Sequence, residues 1–242
     1  LKAGSRTTVK GHIEGADDFN GIITLTVRDN RELVTCRLND KTAADTPFTY
    51  YDRPNTLYNG SDSVRNGRFE LNFVVPKDIN YSNSTGIINL YAINSSHTVI
   101  ANGHDESFIV GGSDIAENDS IGPSIYCYLN SPSFQNGGDV NSTPYFVAQI
   151  MDKDGINATG NGIGHDMQLI IDGKQAYTYS LNDNFTFDFG SYTSGTTYYN
   201  IPELPEGKHK LQFRAWDVLN NVSIAELSFN VVKGMKPQCN IE

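Results

Sequence analysis

Cysteine, methionine and tryptophan are scarce: three, three and one in 242 residues. Three cysteines, Cys36, Cys127 and Cys239, cannot build a disulfide framework, and their spacing fits no zinc or redox motif. Their redox state is left open. Cys127 in "SIYCYLN" shares a phase with Ile125 and Leu129 and reads as a small core residue, and Cys36 can be read the same way. Positive charge is short, with 18 Lys and Arg against 28 Asp and Glu and a net charge of −10. A phosphate backbone would be repelled, so no nucleic-acid partner is expected. No run approaches the 18 or so apolar residues of a membrane helix, so no transmembrane segment is expected. "LKAGSRTTVKG" lacks the basic and apolar regions of a signal peptide. Both ends read as cuts from a longer protein, so the missing leader says nothing about export. Helical stripes are absent as well.

What the sequence does have is a period of two. "GIITLTVRD" sets Ile23, Leu25 and Val27 against Thr24, Thr26 and Arg28, and "GRFELNFVVP" sets Phe69, Leu71, Phe73 and Val75 against Arg68, Glu70 and Asn72. "PYFVAQIMD", "DMQLIID", "NFTFDFG", "HKLQFRAWD" and "AELSFNVV" repeat the scheme, which marks strands buried on one face. Between them stand turn formers such as "RNG", "DKDG", "IDGK" and "LNN". The expected fold is all-β, as two tandem immunoglobulin-like antiparallel β-sandwich domains. The first covers 1–112, with a long loop at about 39–65 where alternation fails, and "SDIAENDSIG", 113–122, is a polar linker. The second covers 123–233, and 234–242 begins a following segment.

Candidate chemistry is thin. "GKHKLQFRAWDVLNN" gathers His209, Arg214, Trp216 and Asp217, but Leu211, Phe213 and Ala215 alternate with Lys210, Gln212 and Arg214, so the run is a strand between two turns. His209 at its entry and Asp217 at its exit stand about 25 Å apart at strand rise and cannot touch. Trp216 reads as packing at the sheet's edge or under a loop, and Asp217 as a bond to the turn backbone. "GHDES" places His104, Asp105 and Ser107 in a row, yet a triad is assembled in space, not by adjacency, so this run reads as loop chemistry. "MDKDGINATGNG" opens like a calcium loop, with oxygens on Asp152, Asp154 and Asn157 and Asp166 as the nearest further carboxylate. It lacks the bidentate Glu of an EF-hand. A β-turn needs only Gly155 at positive φ, so no metal is expected. There is no GxSxG elbow, HExxH or phosphate loop, and no carboxylate pair stands out. No catalytic residue and no cofactor are expected, and the binding residues are unknown.

Some segments resemble a known family. "DFNGIITLTVRD", "YDRPNTLYNGSDSVRNGRFELNFVVPKDINY", "SFIVGG", "GINATGNGIGHDMQLIIDG" and "LPEGKHKLQFRAWDVLNNVSIAELSFNVVKGMKPQ" look like the region following the peptidase domain in the gingipain-type cysteine peptidase family. Within it they resemble the sortases of type IX secretion in Bacteroidetes. The resemblance runs from about residue 8 to residue 238. It implies a cell-surface, outer-membrane-associated, exported cysteine peptidase that removes C-terminal secretion signals. Its Cys-His pair lies in an upstream caspase-like domain, and no position here matches that motif. The expected role is therefore that of non-catalytic modules, spacer and docking surface for an outer-membrane type IX secretion component or a cargo signal domain. The alternative is a free-standing adhesin or carbohydrate-binding pair of sandwiches.

Overall fold

The computed structural model describes residues 1–37, 40–43, 45–114, 119–160 and 164–234. Among them there is no α-helix, only the 3₁₀ turns Gln175–Tyr177 and Asn182–Asn184 among strands that pair mostly antiparallel. The chain divides into two compact units, Leu1–Glu117 and Asn118–Glu242. The described ends of segment 113–122 are tied down: Ser113 bridges Ala3, and Asp119 pairs with Lys153 at 2.9 Å.

In the first unit a four-stranded sheet runs Thr56–Val64, Gly21–Arg28, Ile87–Asn94, Ile100–Asp105 in spatial order. Arg6–His12 pairs with Arg68–Val74 in a second sheet. The alternation of Gly21–Arg28 buries Ile23, Leu25 and Val27, and the rings of Tyr58 and Phe73 stack at 4.9 Å. The "RNG" turn carries the chain between Thr56–Val64 and Arg68–Val74, with Asn66 and Gly67 both at positive φ (49° and 71°). That is what a two-residue hairpin demands of its central residues.

The stretch expected as a loop at 39–65 is a correction. It contains the strand Thr49–Asp52, which pairs with Glu32–Thr35, and the nine-residue strand Thr56–Val64. Register slips between Val27 and Arg28, whose partners are Tyr58 and Thr56, so Leu57 is the extra residue of a bulge. Leu57 and Tyr58 are therefore buried in succession and Gly60 takes an inward place, which erases the alternation. Every residue of Thr49–Asp52 is exposed, so that strand has no buried face to write a pattern.

The second unit is a β-sandwich. One sheet orders Ser124–Leu129, Tyr145–Met151, Ser194–Asn200, Phe185–Phe187; the other orders Asp139–Val140, Val222–Val231, Gly207–Trp216, Gln168–Ile171, Thr178–Ser180. Phe146, Ala148 and Ile150 of the first face Leu169, Leu211, Phe213 and Phe229 of the second in one core. Phe146 and Phe213 meet at 5.2 Å. Gly207–Trp216 and Val222–Val231 form a ten-residue ladder, so the cluster of His, Arg, Trp and Asp is a strand and its turn.

Candidate functional site

The oxygens read as a weak calcium loop lie along one loop of the second unit, where the backbone, a threonine hydroxyl and a lysine use them. Asp152 Oδ1 accepts the N–H groups of Asp154 and Gly155, at 2.8 and 3.2 Å, and Gly155 takes φ 123°. Asn157 Oδ1 accepts the N–H and hydroxyl of Thr159. Lys153 Nζ lies 2.6 Å from Asp154 and 2.9 Å from Asp119, an ammonium between two carboxylates. Asp217 Oδ1 accepts the N–H groups of Leu219 and Asn221, and Oδ2 the side-chain amide of Asn221. Burial, then the neighbouring charge of Asp217, pushes the Asp152 carboxyl up; burial does the same to Asp217. Lys153 first, then the Ile121 N–H, holds Asp119 down at about 2. Among the described residues no three His, Cys, Asp or Glu side chains are arranged to hold a metal ion. Asp166 is half-buried beyond the loop. Asp119 was invisible as a member of this cluster, because a polar segment gives no sign of where it folds back.

The other candidates scatter. His209 is not simply at a strand's entry: it is buried in phase with Leu211 and Phe213, its Nδ1 2.9 Å from Asp172 and its Nε2–H donating to the Pro205 carbonyl at 2.8 Å. Asp172 sits at positive φ in the "IDGK" turn, where it also accepts the Lys210 N–H. The pair pins a turn to a strand. Trp216 ends an interior strand, not an edge one, and is half-buried with the His165 ring at 4.4 Å and the Arg214 guanidinium at 5.8 Å. His104 and Asp105 lie on the strand Ile100–Asp105, not in a loop, and both are exposed; Asp105 caps the Ser107 N–H. Cys36 is exposed, which corrects its reading as a core residue, because it follows a strand with no covering layer. Cys127 is half-buried against the core, and burial pushes its thiol up to about 11. It is a protonated thiol, a poor nucleophile at neutral pH. Cys239 lies outside the described residues. None of these side chains forms a nucleophile–base pair among the described residues.

The first unit holds a feature missed in the sequence. Arg31, Tyr51 and Arg53, near the hairpin of Glu32–Thr35 and Thr49–Asp52, line a shallow cavity of about 590 Å³ with Arg28 and Asn89 of the four-stranded sheet. The only sequence signals were "RDNRE" and "YYDRP", two short runs mixing arginine and acid.

No family model and no curated protein matches the chain. A solved structure is similar along nearly all of it. The crystal structure of dimeric latent PorU from Porphyromonas gingivalis is 39% identical over 98% of this chain, with a TM-score of 0.55. The chain spans 22% of the PorU chain.

Proposed function

We propose that the chain is a pair of immunoglobulin-like, non-catalytic modules of a type IX secretion sortase, from the region after the peptidase domain of a gingipain-type cysteine peptidase of Bacteroidetes. The 39% identity to PorU over 98% of the chain carries this reading. The second unit supports the immunoglobulin-like part, with four strands packed on five around one core. The raised Cys127 thiol and the backbone-bound Asp152 and Asp217 support the non-catalytic part. In this reading the parent enzyme is exported to the cell surface, and these modules space its catalytic domain from the outer membrane and dock a secretion component or the signal domain of its cargo. The gene tests it directly: the reading frame upstream should encode a caspase-like domain with a Cys-His dyad, and its absence would sink the proposal. Purified chain should leave a C-terminal secretion-signal peptide intact, and cleavage abolished by Cys127→Ala would overturn the non-catalytic part.

A free-standing carbohydrate-binding pair is a second reading. It draws on a row of tyrosines on the outer face of the four-stranded sheet of the second unit, where Tyr145 and Tyr198 stack at 6.2 Å and Tyr126 is half exposed. The same upstream sequence decides between the two.

A further inference from the structure

The arginine-lined cavity of the first unit is built from two elements that the sequence places apart. Its floor is the solvent face of the four-stranded sheet. Thr26 pairs with Asn89 and Arg28 with Ile87 there, and the unbroken alternation of Gly21–Arg28 turns Arg28 away from the core and into the cavity. The hairpin supplies Tyr51, which is 63% exposed, and Arg31 lies just before its first strand, the guanidinium 5.4 Å from the Tyr51 ring centre.

The charges in the cavity are unequal in their commitments. Arg53 is mostly buried: it pairs with Glu106 at 3.2 Å, donates to the Thr85 carbonyl, and keeps its Nε without a partner among the described residues. Arg28 donates to the Arg53 carbonyl at 2.9 Å and, like Arg31, meets no carboxylate within ion-pair distance among the described residues. Asp52 accepts the Arg53 N–H and also lines the space. Three guanidiniums against two carboxylates leave one net positive charge, in a chain whose net charge is −10. A polyphosphate would meet Asp52 and Glu106 as like charges. A single carboxylate would give the two guanidiniums that lack an ion pair the planar, forked partner that arginine favours. The acidic side chains accept hydroxyl hydrogens, the Asn89 amide can both donate and accept, and an exposed tyrosine offers a face to an aliphatic ring.

We propose that this cavity binds a monoanionic sugar of the hexuronic acid class, its carboxylate on Arg28 and Arg31, its ring on Tyr51, and its hydroxyls on Asn89, Asp52 and Glu106. The volume of about 590 Å³ falls in the range of small-ligand sites and admits one or two sugar residues. This site does not rest on the sortase-module reading; it shares the sugar chemistry of the second reading but lies on a different unit from that reading's tyrosine row.

The test is an amide NMR titration of the full 242-residue chain with glucuronate, glucose and inorganic phosphate. Glucuronate should shift the resonances of Arg31, Tyr51 and Asn89 saturably, with a dissociation constant on the order of 1 mM, as its few atoms allow. Arg31→Gln and Tyr51→Ala alter exposed side chains and should leave the spectrum folded, each weakening binding about tenfold. Equal binding of glucose would overturn the role of the arginines. Equal binding of phosphate would reduce the site to a bare anion hole and overturn the sugar assignment. Shifts confined to other residues, or no saturation by about 50 mM, far above the expected constant, would overturn the site itself.

Discussion

Asp217 is completely buried, yet it accepts three hydrogen bonds from the turn that follows its strand. Asp217→Ala would strand the N–H groups of Leu219 and Asn221 in a dry place and should cost about 3 kcal/mol, read by urea unfolding. Its ionisation also sets a pH dependence. Asp152 and Asp217 are pushed up, by burial first, so they bind protons more readily folded than unfolded. Their contribution is complete below the ordinary carboxyl range and is lost as pH rises through the raised values. Asp172 runs the other way. Burial would raise it, but the Lys210 N–H and the His209 ring outweigh burial and hold it low. Its contribution is present above about pH 4 and is lost as pH falls through the lowered value. The melting temperature of the second unit, followed by the chain's one tryptophan, should rise from neutrality towards about pH 4.5 and then fall. Asp217→Asn should reduce the rise, leaving the part due to Asp152, and Asp172→Asn should blunt the fall. His209 itself shows the limit of reading residues singly: in phase with Leu211 and Phe213 it can be buried only because Asp172, 37 residues away, meets it.

At the scale of elements, the strands with one wet face were legible and those without were not. Gly21–Arg28, Arg68–Val74 and Gly207–Trp216 write their burial as alternation. Thr56–Val64 hides its burial behind a bulge and a glycine, and Thr49–Asp52 has nothing buried to write. The loop Asp152–Asn157 was legible in type but not in its partners, since Asp119 and Asp217 reach it from distant segments. Gly155 holds φ 123°, and a Cβ there would stand 3.2 Å from the Tyr192 ring and 3.3 Å from Val218. Gly155→Ala should cost about 2 kcal/mol in the same urea assay. Our reading of the loop as a turn also predicts that millimolar calcium leaves the melting temperature unchanged. A ligand of the folded state would raise it by mass action, and a rise lost in Asp154→Ala would reverse the reading.

For the whole molecule, each unit carries its own buried residues, Ile23, Leu25, Leu71 and Phe73 in the first and Phe146, Leu169, Leu211 and Phe213 in the second. Segments 1–114 and 119–234 should therefore each fold when expressed alone, checked by a cooperative thermal transition in circular dichroism with no helical minima. A segment that melts without cooperativity would show that its core is insufficient.

The last described strand of the second unit, Val222–Val231, does not lie at an edge. It sits between Gly207–Trp216 and the parallel strand Asp139–Val140. A chain leaving a ribosome N-terminus first can form the earlier hairpins as they emerge, but the larger sheet has a gap until residue 231 is free. Closing that gap joins residues some 90 positions apart, among the slowest kinds of contact to make. The larger sheet therefore closes only when the strand Val222–Val231 arrives, whatever hairpins have formed before it.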